Sequence, residues 1–137
     1  MENNVLVDSN VYIDLLRSKR DVIATLFQWN QAHHGVLSIC GIVRLEVLRG
    51  VKSIKLLARI SAFMDVMCNV PSDNRLWVEA TDLAWQLDRK GLVIPGADVV
   101  IAASALRIGA ALLTSDTHFA QIDGLRVIAP PVAWFGA

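Results

Sequence analysis

Four carboxylates in this chain, Asp8, Glu46, Asp98 and Asp116, stand where ordinary surface acids are not expected. Asp8 and Asp116 each follow a short apolar run, Val5-Leu6-Val7 and Ala110 to Ser115, as acids do at the carboxyl ends of parallel strands. Asp98 falls in the first turn of a small-residue helix predicted over Ala97 to Leu106, after the stop made by Pro95 and Gly96. A lone acid there is adequately explained by the helix dipole and free N–H groups. Glu46, by contrast, sits on an otherwise apolar helical face. Carboxylates gathered at one edge of a sheet repel one another and hold their protons, so the set makes chemical sense around a divalent cation.

The elements that must position these acids alternate along the chain. Strands are predicted at Asn4 to Val7, Val36 to Cys40, Cys68 to Val70, Ala111 to Thr114 and Val127 to Ile128. Between them helical patterns run from Val11 to Leu16, Asp21 to Ala32, Gly41 to Arg49, Ile54 to Met67, Asp73 to Lys90 and through the Asp98 helix. Ser9 or Asn10 is expected to cap the first of these, Ser53 the fourth, and Gly35 to supply a left-handed cap after His33-His34. Ile42, Leu45 and Leu48 are the expected buried side of the third helix, and Trp77 and Trp85 of the fifth are expected in a core or an interface. This alternation predicts a single α/β domain over residues 1–137, an α/β/α sandwich around a mostly parallel sheet of about five strands.

Composition narrows the class. With 54% apolar and 19% charged residues the chain is globular, and its apolar excess points to a buried interface, expected to be that of a homodimer. The opening MENNVLVDSN resembles no export signal, and no run approaches the ~20 apolar residues of a membrane span. Cys40 and Cys68 lack metal-type spacing and are expected to be reduced core thiols of a cytoplasmic protein. The formal charge is zero, with 13 basic and 13 acidic residues. Setting four acids aside in a pocket leaves a basic surface, and Arg44, Arg49, Lys52, Lys55 and Arg59 cluster in sequence. A basic strip beside an acidic metal pocket suits a phosphodiester, which needs cations along its backbone and metal at the scissile phosphate; a solvated helix face is the plainer alternative.

The segments VLVDSNVYIDLL, SICGIVRLEVLRG, IPGADVVIAASAL and LLTSDTHF, in that order, resemble PIN-domain ribonucleases of the VapC toxin type over essentially the whole chain. The resemblance implies a PIN-like sandwich, magnesium- or manganese-dependent cleavage of RNA with one or two ions, and inhibition by a cognate antitoxin protein. It puts the acidic quartet on Asp8, Glu46, Asp98 and Asp116, and accessory polar positions on Asn10, Thr114 and Ser115. Asp8 and Asp98 are then the expected direct ligands, with Glu46 and Asp116 completing the site directly or through water. Ser9, Asn10, Thr114 and Ser115 would orient ligands and water from behind. His118 falls where such proteins vary, and the sequence assigns it no catalytic role.

Other readings meet specific obstacles. A haloacid-dehalogenase-like phosphotransferase wants a second Asp two positions after the first, where this chain has Asn10. A receiver-like module wants an adjacent acidic pair and a late strand-end lysine. A binding module whose acids merely cap helices, and a non-toxin PIN nuclease acting in RNA processing or on DNA, stay open at this stage.

Overall fold

The computed structural model describes residues 3–135, so Met1, Glu2, Gly136 and Ala137 of the expected 1–137 domain lie outside the described residues. Five short strands, β1 (Asn4–Val7), β2 (Val36–Ile39), β3 (Cys68–Asn69), β4 (Ala111–Leu113) and β5 (Val127–Ile128), form one sheet in the order β3-β2-β1-β4-β5. Every pairing is parallel, where the sequence predicts a mostly parallel sheet. The central strands are apolar on both faces because both are covered, and Leu6, Ile39, Leu112 and Leu113 are wholly buried.

The chain first steps outward from β1 to β2 to β3. These steps carry α1 (Ser9–Arg17), α2 (Val22–His33), α3 (Gly41–Leu48) and α4 (Ile54–Asp65). It then crosses back through α5 (Asn74–Arg89) and α6 (Gly96–Arg107) to place β4 on the other side of β1. Because such crossovers are right-handed, steps in opposite directions put their helices on opposite faces of the sheet. The reversal between β1 and β4 opens a crevice at the strand carboxyl ends. Register carries both strands to that edge together: Val7 pairs with Leu113, and the Asp8 N–H donates to the Leu113 carbonyl at 2.9 Å.

α6 is the packing hub of the return half. Its small residues let Ile101, Ala102 and Ala105 enter the main core while Val99 and Ala103 meet Leu76 and Ala80 of α5. A second tie fixes the start of α5 to the end of α6. Asp73 caps α5 by accepting from the Leu76 N–H at 3.1 Å, and the same carboxylate takes Arg107 in a two-pronged pair at 2.6 and 2.8 Å. The Arg107 guanidinium holds the Asp73 carboxyl well below the usual carboxylate range. A lowered pKa means that this stabilisation is present above the ordinary range and is lost as pH falls through the lowered value. Arg107→Gln is therefore expected to be less stable than the parent at pH 7, with the gap in urea melts narrowing only as pH falls below the ordinary carboxylate range; a pH-independent gap contradicts the pairing.

Several local expectations change in three dimensions. α1 begins at Ser9, so neither Ser9 nor Asn10 caps it; the cap position is Asp8, whose carboxylate is turned to other partners. Ser53 does cap α4, accepting from the Leu56 N–H at 3.2 Å. The left-handed residue after α2 is His34 (φ 50°), not Gly35. Gly35 instead allows a close approach: a Cβ there would stand 2.5 Å from Asn30 Oδ1, which would have to shift, and 3.3 Å from the Asn3 carbonyl oxygen. On α3 the buried side is Val43 and Val47, and Leu45 is exposed. Cys40 is buried as expected, but Cys68 on the edge strand is exposed.

Trp77 and Trp85 are exposed and so lie outside the core; Trp77 flanks a groove that Ala80 and Ala84 of α5 share with Val99 and Val100 of α6. The apolar tail folds back onto the chain: Trp134 is buried, and Arg20 donates to the Trp134 and Ala133 carbonyls at 2.8 and 2.6 Å. Among the described residues no helix is long and apolar enough to cross a membrane.

Candidate metal centre

The four acids arrive at the β1/β4 crevice from four separate segments. Asp8 follows β1, Glu46 lies in α3, Asp98 in the first turn of α6, and Asp116 just beyond β4 at the start of a single 3-10 turn, Thr117–Gln121. Contacts bind them into one network. Ser9 Oγ donates to Glu46 Oε1 at 2.9 Å and lies 3.4 Å from Asp8 Oδ1, joining α1 to α3. Thr114 Oγ1 donates to Asp8 Oδ2 at 2.7 Å, and accepts from the Asp116 N–H at 3.0 Å and from Asn10 Nδ2 at 3.3 Å. One hydroxyl thus holds the acids after β1 and β4 in fixed relation.

The remaining links run through His118. Its Nδ1 lies 2.8 Å from Asp116 Oδ1 and its Nε2 3.1 Å from Asp98 Oδ2. Ligand atoms of Asp98, Asp116 and His118 all fall within 4.8 Å of one another, close enough to share one ion. The sequence reading left His118 out of the site, and this is its main omission. Its signal was the spacing alone: two positions after Asp116, in a tight turn opening on that acid, a side chain is returned towards its own capping residue.

Burial is the chief influence on two of the acids, Asp8 and Asp98. It pushes the Asp8 carboxyl up, the charges of Asp98 and Asp116 push it further, and the Thr114 hydroxyl works against them. Asp98 is raised by burial too, with His118 opposing and Asp116 and Glu46 adding to the rise. Asp8 and Asp98 are therefore held where their charged forms are disfavoured unless a cation offsets them. Such a donor set, oxygen-rich and partly withdrawn from water, fits a small divalent cation.

Other expected residues are less engaged. Asn10 keeps a buried Oδ1 with no hydrogen-bond partner among the described residues. Ser115 is exposed beside Ala129, Pro130 and Val132, and among the described residues no hydrogen bond links its side chain to the four acids. In the basic cluster, Arg44 is committed to Asp65 at 2.9 Å, which removes one cation from the expected strip. Arg49, Lys52, Lys55 and Arg59 are exposed, at the end of α3, in the connection and along α4.

Comparison with known proteins agrees with this architecture. The family profile of the PIN domain matches residues 5–125. No curated relative matches the sequence. Among solved structures, the chain is similar to the DNA-bound VapBC of Salmonella typhimurium, at 24% identity and TM-score 0.74, covering 94% of this chain and 98% of that one. It is similar also to VapBC2 of Rickettsia felis bound to a promoter DNA fragment, at 19% identity and TM-score 0.75, covering 92% and 98%. A toxin–antitoxin complex from Klebsiella pneumoniae is similar at 24% identity and TM-score 0.66, covering 90% and 95%.

Proposed function

Because the chain belongs to the PIN domain family, we propose that it is a metal-dependent endoribonuclease, the toxin of a toxin–antitoxin pair, acting in the cytoplasm. The observation that carries this reading is the convergence of Asp8, Glu46, Asp98 and Asp116 into one bonded network at the sheet's switch point. Helix capping alone would leave acids scattered over four segments with no reason to meet. RNA as substrate rests on the resemblance of the four ordered segments to VapC-type ribonucleases. The toxin assignment is supported by the likeness to VapBC complexes, and implies a cognate antitoxin able to cover the acidic crevice. The exposed Trp77 and Trp85 of α5 support pairing with a second copy.

Asp98 and Asp116, with Asp8 and Glu46 beside them, would hold one or two Mg²⁺ or Mn²⁺ ions. When bound, such ions polarise a phosphate and supply hydroxide near neutral pH. The chain's own residues do the positioning. Thr114 fixes Asp8 relative to Asp116, and Ser9 fixes Glu46 relative to Asp8. Buried, unpartnered Asn10 Oδ1 is available to accept from a water at the reacting phosphate. No serine or cysteine nucleophile is required, because water attacks. Exposed Arg49, Lys52, Lys55 and Arg59 would neutralise phosphates along the strand.

The test is incubation of the purified chain with total cellular RNA and with single-stranded DNA, in Mg²⁺, in Mn²⁺ and in chelator, with the cut ends mapped. Discrete RNA cuts that vanish with chelator are the expected result. Cleavage of DNA alone would move the substrate assignment, and cleavage unaffected by chelator would end the metal mechanism.

A further inference from the structure

We propose that His118 is a positioning residue of the metal centre: its Nε2 donates to Asp98 Oδ2 and fixes the orientation in which Asp98 meets the cation. The inference rests on the proposed metal-dependent function and adds a residue to that same site. Each of the other acids has a holder of its own. Thr114 Oγ1 donates to Asp8 Oδ2 at 2.7 Å, Ser9 Oγ donates to Glu46 Oε1 at 2.9 Å, and Asp116 Oδ1 accepts from the His118 backbone N–H at 3.4 Å. Asp98 stands in the first turn of α6, after a Pro95 that makes no side-chain cap. Among the described residues its carboxylate makes one hydrogen bond, the 3.1 Å contact with His118 Nε2. An ionised carboxylate only accepts, so that nitrogen carries the proton. Without the imidazole, no hydrogen bond among the described residues selects one orientation of the Asp98 carboxylate.

The donor is itself held. Phe119 is wholly buried and anchors the turn Thr117–Gln121 in the core, and its ring stands 4.7 Å from the half-buried imidazole, centroid to centroid. Nδ1 lies 2.8 Å from Asp116 Oδ1 without the alignment of a hydrogen bond, so the directed contact of the ring is the one to Asp98. With its proton aimed at Asp98 Oδ2, Nε2 has no lone pair to give an ion. The ring therefore acts through Asp98, whose Oδ1 it leaves unengaged. Carboxylates that ligate metals are themselves held by hydrogen bonds, and loss of such a partner typically costs about 10- to 100-fold in affinity. His118 supplies that support to an acid 20 positions earlier in the chain, one that neither Thr114 nor Ser9 holds.

Two measurements on the full chain test this. In the first, ¹⁵N-labelled histidine is followed by NMR in the metal-free and the Mg²⁺-saturated parent, the His118 signals being those missing from His118→Leu. Nε2 is expected to carry its proton in both states. A bare Nε2 in the metal-free protein, or one that loses its proton as Mg²⁺ saturates the site, overturns the positioning role. In the second, calorimetry measures Mg²⁺ binding to the parent, His118→Leu and His118→Gln, each checked for folding by circular dichroism. Leucine removes the donor, whereas the amide nitrogen of glutamine stands close to where Nε2 stood. Affinity is expected to fall about tenfold or more in His118→Leu and to return to within about threefold of the parent in His118→Gln. Leucine binding Mg²⁺ as tightly as the parent or more tightly, or glutamine binding as weakly as leucine, overturns the inference and leaves the carboxylate centre standing. A parent that binds neither Mg²⁺ nor Mn²⁺ overturns the proposed function, and this inference with it.

Discussion

Replacing Asp98 with asparagine is expected to lower metal-dependent cleavage by at least about a hundredfold while leaving the fold intact. The substitution keeps size and a hydrogen-bonding oxygen for His118 but removes the negative charge at the mouth of α6. Its effect on stability runs opposite to its effect on activity. Burial raises the Asp98 carboxyl, as do the charges of Asp116 and Glu46, against the pull of His118. A raised pKa favours folding at pH values below the ordinary carboxylate range, and that advantage is lost as pH rises through the raised value. At neutral pH, ionised Asp98 is thus a burden on the metal-free protein, and asparagine removes it. The metal-free variant should melt no lower than the parent at pH 7. Added Mn²⁺ should raise the parent's melting temperature and leave that of the variant nearly unchanged. Retained cleavage by the folded variant would take Asp98 out of the site.

Thr114→Val should damage both stability and activity, because one hydroxyl serves three partners. Valine has nearly the same shape but neither donates to Asp8 Oδ2 nor accepts from the Asp116 N–H and Asn10 Nδ2. Thr114 and Asp8 are both buried, so water does not readily replace the lost bonds. With about 1 kcal/mol net for an ordinary buried hydrogen bond and more for one to a charged group, a loss of about 2–4 kcal/mol is expected in urea melts. Cleavage should fall about 10- to 100-fold, since Asp8 and Asp116 lose their common support. Thr114→Ser keeps the hydroxyl and is expected to restore most of both. If valine and serine variants behave alike, the hydroxyl is not the link between the two acids.

Much of this architecture is readable one segment at a time. Short apolar runs and period-3.6 apolar patterns located all five strands and six helices to within a few residues, because the central strands are buried on both faces and each helix buries a stripe. Errors fell where a side chain has two possible local roles and a distant neighbour decides between them. Ser9 reads locally as a helix cap, yet its hydroxyl goes to Glu46, 37 positions away in sequence. Leu45 reads as part of an apolar face, yet the turn of α3 that would bury it brings Val43 and Val47 inward instead. Trp77 and Trp85 share a face with each other, but the buried face of α5 is the one that meets α6.

The order of apolar runs and the placement of Asp8 and Asp116 behind two of them already determined a parallel sheet with acids at its carboxyl edge, since strand burial and chain direction are local properties. What tertiary structure alone decided is which residues meet there. Ion pairs and hydrogen bonds act over a few ångströms, and neither the Thr114 bridge from Asp8 to Asp116 nor the His118 bridge from Asp116 to Asp98 exists until β4 pairs with β1 and α6 packs beside them.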